Sequence, residues 1–267
     1  MVQARDVLIY LSLIYSGEWV PIYDFISSKK HVETEVIEQT IAKANVQCLT
    51  YIDDEFPHGF HECFRPPFAL FYEGNISLLT DPNKKIISVG GSLDIDADTT
   101  RTIKEVIDEV CEQENVAILS TLARGSQMAA TKAAIEKGKC ILMLPSGIDR
   151  PFNAAESELI RLAKQKALVI SQYPPGTEAT PERTRVRNLY VAQAGDFFFV
   201  TSCRLREPVY EMVAIALQRG RDIGCLPYRA REGNHNNSIL KDGAFLITSG
   251  EDILFNLGLS NQPFPDN

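Results

Sequence analysis

The stretch from Lys84 to Leu119 reads KKIISVGGSLDIDADTTRTIKEVIDEVCEQENVAIL and decides the fold class of this chain. Its two short apolar runs, Ile86–Val89 and Val116–Leu119, have the length and composition of buried strands. The residues between them form a helical stretch near 97–113. A strand, a helix and a second strand in this order form a unit whose two strands pair in parallel.

The same alternation continues along the chain. Further strands are expected at four apolar runs: Cys140–Leu144, Leu168–Ile170, Phe197–Val200 and Ile223–Leu226. Further helices are expected near 126–137, 153–166 and 207–219. The predicted fold class is therefore α/β, with a mainly parallel sheet that carries helices on both faces. Sheets of this kind bind ligands at the carboxyl ends of their strands.

A small helical module precedes the sheet in the sequence. Helices are predicted at 5–15, 19–28 and 31–44. A loop-rich segment follows, which contains several prolines and the apolar ALFY at 69–72. The predicted division is a helical module at 1–50, a connector at 51–82 that packs on the main domain, and the main domain at 83–267.

The composition is that of a soluble globular chain with an excess of acidic residues. The 267 residues carry a formal net charge of -8, which argues against a protein that coats nucleic acid through its global charge. A local basic groove remains compatible with this charge. No apolar run approaches the roughly 20 residues that span a bilayer, and the N-terminal apolar run lacks the basic flank of a signal peptide. A cytoplasmic protein without a membrane partner is expected.

Cysteines, histidines and nucleotide motifs indicate neither a metal nor a cofactor. The six cysteines are scattered without a CxxC pair, which predicts reduced and buried thiols. His58, His61 and Cys63 are three potential ligands within HGFHEC, but a fourth ligand is not evident and no metal is expected. The chain contains no GxGxxG, GxxxxGK[ST] or GxSxG motif, so a dinucleotide site, a P-loop and a serine hydrolase are not supported.

The strands of the main domain are followed by glycines and polar residues. The first three ends read Gly90-Gly91-Ser92, then STLARGS at 120–126, then PSGID at 145–149. In a parallel sheet these ends share one edge, where glycine lets backbone N–H groups approach a ligand and helix N-termini attract anions. A phosphate-binding rim is one interpretation, with backbone donors at Gly90, Gly91, Ser120 and Gly125. The other is that tight turns need glycine and serine for their geometry alone.

The fourth strand end, Ser171 to Asn188, reads SQYPPGTEATPERTRVRN and concentrates arginines in an acidic chain. Guanidinium forks match phosphate and carboxylate groups. The candidate phosphate contacts are Arg124, Arg185, Arg187 and Asn188. Tyr173 and Phe152 are candidate stacking surfaces for bases, although core packing is the stronger expectation for Phe152.

Three aspartates follow the first strand end and oppose phosphate binding there. Asp94, Asp96 and Asp98 precede the helix near 97–113, and carboxylates at such positions cap helices. A calcium loop would need a glycine and a distal glutamate that are missing. Helix capping is therefore the expected role of this cluster.

The order of these motifs resembles the DNA-processing protein A family, also called DprA or Smf. LFYEGN at 70–75, followed by IISVGGS at 86–92, is similar to that family's LFYKGN and GSR elements. The family's next two sequence elements are similar to the stretches STLARGSQMAATKAAI at 120–135 and PSGIDRPFNAAESELI at 145–160 of this chain. The family's last two elements are similar to SQYPPGTEATPERTRVRNLYVAQA at 171–194 and ILKDGAFLITSGEDIL at 239–254. Each motif is short, but five occur in order with compatible spacing.

The resemblance implies an N-terminal helical module of the sterile-alpha-motif or helix-hairpin-helix type. It also implies a Rossmann-like domain that binds single-stranded DNA without catalysis and without a cofactor. It further implies that the protein protects incoming DNA during natural transformation, loads the RecA recombinase and forms a homodimer. Several family positions differ here: the arginine after Gly91-Ser92 is missing, Thr131 stands in place of a histidine, and Leu189 replaces the second arginine of RNR. Gln127 and Asn153 also depart from the pattern. Fewer phosphate contacts imply weaker or altered DNA binding.

Two other function classes fit the same residues. One is a nucleotide-phosphate enzyme or sensor that uses the strand-end rim, although the PGGxGT-like motif of such enzymes is not found. The other is a protein-interaction homologue that has lost its DNA site and kept its partner surface. Turnover of a nucleoside monophosphate would favour the first, and RecA capture without DNA binding would favour the second.

Overall fold

The computed structural model describes residues 2–229 and 234–260. Within these residues the strands are β1 (Cys48–Thr50), β2 (Ala69–Gly74), β3 (Lys85–Gly90), β4 (Val116–Ser120), β5 (Cys140–Met143), β6 (Leu168–Ser171), β7 (Phe197–Val200), β8 (Asp222–Cys225) and β9 (Phe245–Leu246). The helices are α1 (Ala4–Ile14), α2 (Trp19–Ser27), α3 (Thr34–Ala44), α4 (His58–His61), α5 (Ser77–Thr80), α6 (Ala97–Val110), α7 (Ser126–Glu136), α8 (Ala154–Lys166), α9 (Pro181–Ala194), α10 (Pro208–Gln218), α11 (Asn236–Lys241) and α12 (Gly250–Asn256). Every predicted strand and helix is present, with ends displaced by only a few residues.

The described strands form one sheet in the order β1-β2-β6-β5-β4-β3-β7-β8-β9. All neighbours from β6 to β9 pair in parallel. Strand β2 pairs antiparallel with both β1 and β6. The prediction of an α/β fold with a mainly parallel sheet is confirmed.

The chain moves along the sheet in two directions, which places helices on both faces. From β3 to β6 each crossover steps one way, and from β6 the chain returns to β7 and steps the other way. Because such crossovers are right-handed, α6, α7 and α8 lie on one face and α9 and α10 on the other. Helix α6 packs against α7, and α9 packs against α10. The direction changes between β3 and β7, and this reversal gives the Rossmann-like fold its switch point.

The predicted connector at 51–82 contains a strand of the sheet. Ala69–Gly74 extends along the edge of β6, with Phe71 opposite Ser171. Leu70 and Phe71 are fully buried there. The sequence pattern indicates a loop because the apolar run is short and its partner strand lies about a hundred residues later. The sheet crosses both predicted boundaries, and the three-part division stays a prediction.

Helix α6 shows how the local sequence specifies the elements of the sheet layer. Ile103, Val106, Ile107 and Val110 recur at helical spacing and are all buried against the sheet. Full burial of each such side chain stabilises the fold by about 1.5–3 kcal/mol. The Asp96 carboxylate caps the helix by accepting a hydrogen bond of 2.7 Å from the backbone N–H at the third helical position. The capping prediction is confirmed for this aspartate.

The N-terminal helices are attached to the sheet and to α9. Helix α1 packs against α3 and lies over β1 and β2. The Glu18 carboxylate, at the start of α2, accepts a hydrogen bond of 2.8 Å from Arg183 of α9. The Trp19 indole donates to the carbonyl of Pro66 at 3.1 Å. These contacts place the module beside the arginine-rich stretch.

Of the three potential ligands in HGFHEC, His61 and Cys63 are engaged in packing, whereas His58 is exposed. The Cys63 thiol donates to the carbonyl of Gly59 at 3.3 Å, and burial raises the pKa of this thiol to about 12. The His61 ring contacts the rings of Tyr51 and Phe56. All six cysteines are free and buried, as predicted. No helix in the described ranges combines the length and apolar character needed to cross a bilayer.

Candidate functional site

The arginine-rich stretch folds into a loop and the first turns of α9. The Thr180 hydroxyl caps this helix by accepting a hydrogen bond of 3.1 Å from the backbone N–H of Arg183. Pro181 occupies the first helical position, where a missing N–H costs nothing. The sequence pattern indicates no helix here because Val186 is the single aliphatic side chain in the first two turns. The Thr-Pro cap is the signal that identifies this start.

Arg187 of α9 is a buried guanidinium that forms no ion pair with a described residue, although the charge of Glu156 favours its protonated form. Its side chain is only 4% exposed, and its Nε has no hydrogen-bond partner among the described residues. One Nη donates to the carbonyl of Met143, at the end of β5, over a long 3.4 Å. Burial lowers the pKa of the Arg187 guanidinium to about 10, so the group still carries a charge at neutral pH. A buried and under-bonded cation is costly, and its presence points to a ligand.

A cavity of about 270 Å³ opens beside Arg187, at the carboxyl ends of β4 and β5 between α8 and α9. This space is called the Arg187 cavity. Phe152 lines it and is 85% exposed. Tyr173 is fully buried, and the Arg183 guanidinium lies 5.1 Å from the centre of its ring. The expected roles are therefore reversed: Phe152 is the available stacking surface, and Tyr173 belongs to the core.

A second cavity of about 410 Å³ lies on the other side of the start of α9, against α10. Arg185, Arg206 and the exposed Tyr210 line it. Arg185 forms a bidentate ion pair with Glu211 of α10. Asn188 also lines this cavity but is buried, with its Oδ1 unpaired. The first turns of α9 thus separate two cavities, each of which carries an arginine and an exposed aromatic ring.

Further arginines extend this edge of the sheet. Arg124 is exposed and pairs with Asp94 at 3.3 Å. The two residues before Arg124 line the Arg187 cavity, whereas the Arg124 side chain is not part of its lining. Arg204 and Arg206 are exposed on the loop after β7, and neither forms an ion pair with any residue that the structure describes. The sequence interpretation missed these two.

Arg150 is the third arginine that the sequence interpretation missed. It lines the Arg187 cavity and pairs loosely with Glu178 at 3.4 Å. Its position just after a strand-end turn is the signal that would have found it. Arg150, Arg187, Arg185 and Arg206 together surround the first turns of α9.

The glycines and serine predicted as backbone donors lie in packing contacts. A side chain at Gly91 would overlap Thr201 and Ser126 across the switch point. Gly90 is equally confined by the ring of Phe198. Ser120 is fully buried, and its hydroxyl donates to the carbonyl of Gln127 at 3.2 Å. A role in ligand binding for Gly90, Gly91, Ser120 and Gly125 stays a prediction.

The positions that depart from the family pattern make internal hydrogen bonds. The Thr131 hydroxyl donates to the carbonyl of Thr121 at 2.7 Å. The Gln127 amide donates to the carbonyl of Val89 at 3.0 Å. Asn153 caps α8, accepting a hydrogen bond of 2.9 Å at the third helical position. The hydrogen bonds of Gln127 and Thr131 stabilise the turns after β3 and β4, and that of Asn153 stabilises the start of α8, without adding positive charge.

Comparison with solved structures places the fold among DNA-processing proteins. DNA processing protein A from Streptococcus pneumoniae superposes with a TM-score of 0.77 and 22% identity, over 96% of this chain and 98% of that one. A Helicobacter pylori protein, described in a study of its single-stranded DNA binding mode, superposes with a TM-score of 0.70 and 21% identity. That match covers 80% of this chain and 97% of the other.

Sequence comparison identifies the family. DNA processing protein DprA of Streptococcus pneumoniae is 29% identical over 77% of this chain and 72% of its own length. Protein Smf of Escherichia coli is 24% identical over 97% of this chain and 76% of its own length. The model of the DNA recombination-mediator protein A family matches residues 47–258. The chain belongs to the DNA recombination-mediator protein A family, whose members include DprA and Smf.

Proposed function

We propose that this protein binds single-stranded DNA along the carboxyl edge of its sheet, across the first turns of α9. The observation that carries the proposal is the pairing of arginines with exposed aromatic rings on both sides of this helix. Proteins that bind single strands combine a basic track for the backbone with aromatic rings on which bases stack. Phe152 and Tyr210 supply the rings.

The surface arginines are available to phosphates although several are paired. Arg124, Arg150 and Arg185 pair with carboxylates at exposed positions. Exposed single ion pairs such as those of Arg124 and Arg150 are worth about 0–1 kcal/mol, so a phosphate can replace the carboxylate at little cost. The bidentate pair of Arg185 with Glu211 costs more to open. Arg206 can bind a phosphate without first giving up an ion pair, because no carboxylate pairs with it in the described part of the chain. These arginines form the proposed track for the DNA backbone in a chain of net charge -8.

Single arginine substitutions test this track. Arg150→Ala and Arg206→Ala are each expected to weaken binding to an oligothymidine and to make the plot of log affinity against log salt shallower by about 0.7. Fluorescence anisotropy titrations at several salt concentrations measure both quantities. Arg161→Ala is the matched control, because Arg161 is exposed on α8 and pairs with Glu158, with no lining role in either cavity. Equal effects of all three substitutions would contradict the proposed track.

The proposed role is that of a recombination mediator, without catalysis. The protein would shield incoming single strands during natural transformation and load the RecA recombinase onto them. Family membership and the absence of a nucleotide-hydrolysing motif support this role. RecA capture by a parent protein that binds no single-stranded DNA at any salt concentration would favour the protein-interaction alternative.

A homodimer is proposed as the working assembly. At the β9 end of the described sheet, Phe245 is 40% exposed and Leu246 is 54% exposed. An exposed apolar strand at a sheet edge is a ready surface for a second copy related by two-fold symmetry. Light scattering should give the mass of two chains for the parent protein and of one chain for Leu246→Asp. A parent protein that stays monomeric at all concentrations would contradict the proposed homodimer.

A further inference from the structure

The N-terminal module and the loop before β2 present a group of stacked rings and guanidiniums. The ring of Trp19 stacks on that of Tyr23, with centroids 4.6 Å apart and an interplanar angle of 13°. The Arg65 guanidinium lies 5.2 Å from the centroid of the Trp19 ring and 5.4 Å from that of the Phe64 ring. The Arg219 guanidinium, just after α10, lies 5.5 Å from the centroid of the same phenyl ring. These five residues are called the aromatic–arginine patch.

The rings of the patch are open to solvent. Phe64 is 56% exposed and Tyr23 is 49% exposed. Single exposed apolar residues are ordinary on soluble proteins, whereas clusters of them mark interaction sites. Tryptophan, tyrosine and arginine are also the residue types that contribute most to the binding energy of protein interfaces. The patch therefore has the composition of the centre of a protein interface.

The two guanidiniums of the patch form no ion pair with any residue that the structure describes. Two arginines near the patch differ in this respect: Arg183 pairs with Glu18 at 2.8 Å, and Arg221 pairs with Glu62 at 2.7 Å. The glutamates closest to the patch in the sequence are therefore already paired. In a chain of net charge -8, two exposed cations without an ion pair complement carboxylates of another molecule.

The loop that carries Phe64 and Arg65 is held in one conformation. Arg65 has a φ of 56°, in the left-handed region that residues other than glycine rarely adopt. Its carbonyl accepts a hydrogen bond of 2.7 Å from the Tyr190 hydroxyl of α9. The backbone N–H of Phe64 donates to the side-chain oxygen of Gln193 at 2.8 Å. A loop fixed in this way loses little conformational entropy when a ligand binds, and such backbone conformations are concentrated at ligand clamps.

The size of the patch favours a peptide over a nucleic acid strand. Both guanidiniums lie no more than 5.5 Å from the centroid of the Phe64 ring. A single strand is bound by a basic groove that follows its backbone over several nucleotides. Two cations around one ring do not form such a groove, but they match two carboxylates that flank an apolar side chain, since guanidinium forks bind carboxylates bidentately.

We propose that the aromatic–arginine patch binds an acidic segment of a partner protein, in which carboxylates flank an aromatic side chain. The carboxylates pair with Arg65 and Arg219, and the aromatic side chain packs against the ring of Phe64. The loop of Phe64 and Arg65 is bound to the last turns of α9, whereas the proposed DNA track crosses the first turns. The proposal therefore goes beyond DNA binding and does not depend on it.

Trp19 allows a test without a label, because it is the single tryptophan of the chain and lies in the patch. Its fluorescence changes when a ligand reaches the patch. The probe is a capped peptide that repeats Asp-Phe-Asp. In one control peptide asparagine replaces every aspartate, and in the other serine replaces every phenylalanine. The Asp-Phe peptide should bind about tenfold more tightly than either control, since each control lacks one of the two kinds of contact.

Two substitutions test the guanidiniums. Arg65→Gly removes one of them and leaves a residue that adopts a positive φ freely, and Arg219→Ala removes the other just after the end of α10. Each should weaken binding of the Asp-Phe peptide about tenfold, the loss expected for one charge-assisted contact. Arg161→Ala is the matched control, because this exposed arginine of α8 lies outside the patch. No binding of any peptide, equal binding of all three, or unchanged binding in both variants would overturn the proposal.

An oligothymidine titration decides between a peptide and a nucleic acid. The oligothymidine should leave the Trp19 fluorescence unchanged and should not displace the Asp-Phe peptide. An oligothymidine that changes this fluorescence, and loses affinity in Arg65→Gly and Arg219→Ala protein, would assign the patch to DNA and overturn the peptide. Binding of the Asp-Phe peptide by Arg150→Ala/Arg206→Ala protein would support the patch as a surface separate from the DNA track.

Discussion

An Arg187→Met variant is expected to be more stable than the parent protein and to bind single-stranded DNA about tenfold more weakly. The gain in stability has a simple cause. Arg187 is 4% exposed and its Nε is unpaired, so the fold carries a buried charge without full compensation. Methionine has a similar length and suits the cavity, whose lining includes the apolar Leu122, Leu144 and Ile160. A buried donor left without a partner costs about 1–3 kcal/mol, and methionine removes this cost.

The weaker DNA binding has the same physical cause, which is the incompletely hydrogen-bonded guanidinium of Arg187. This guanidinium would donate a hydrogen bond to an acceptor of DNA, and a hydrogen bond to a charged group contributes about 1.5–3 kcal/mol. Urea denaturation measures the stability and anisotropy titration measures the affinity. Arg161→Met, on the exposed face of α8, should change the free energy of unfolding by less than about 0.5 kcal/mol and leave DNA binding intact. A destabilised Arg187→Met protein with unchanged affinity would show that Arg187 serves the fold alone.

A Gly125→Ala variant is expected to lose about 2–4 kcal/mol of stability. Gly125 precedes α7 with φ of 74° and ψ of -127°, a conformation that side chains other than glycine rarely adopt. A methyl group there would also overlap the carbonyl oxygens of Ser92 and Leu93. Because the Ser92 carbonyl accepts a hydrogen bond from the backbone N–H of Ser126, the overlap would separate the two loops of the switch point.

Gly176 provides the matched control for this prediction. It also has a positive φ, of 85°, but no atom lies close to the position of an added methyl group. Gly176→Ala should therefore cost only the backbone strain, about 1 kcal/mol. Chemical denaturation of both variants compares them directly. Equal losses would mean that the loops around Gly125 adjust freely, and that the close packing at the switch point does not matter for stability.

The parallel sheet could be predicted from the sequence because each of its units is local. An apolar run such as Val116–Leu119 and the amphipathic helix before it carry their own periodicity, and the crossover rule then sets the pairing. Strand β2 could not be found in this way, since Phe71 pairs with a strand about a hundred residues later. Helix α9 was not predicted because its first turns are polar and carry no apolar periodicity. Its start depends instead on the cap at Thr180.

The sequence predicts which edge of the sheet the candidate residues occupy, but not how exposed each of them is. Strand ends indicated the carboxyl edge, and Arg124, Arg185 and Arg187 all lie there. That Arg187 is buried depends on how α8 and α9 pack over β5, which no local pattern encodes. The exposure of Phe152 has the same origin, because its loop leaves the sheet before α8 begins. Sequence patterns identify residue types at an edge, whereas tertiary packing decides which of them reach a ligand.

The salt dependence of oligothymidine binding tests the central claim most directly. Anisotropy titration of the parent protein should give an affinity that falls about tenfold or more between about 50 and about 200 mM salt, as expected when several arginines release counterions from a single strand. The same decline should be shallower in the Arg150→Ala/Arg206→Ala protein. An affinity that does not change with salt, or no binding at low salt, would contradict a basic track along the first turns of α9.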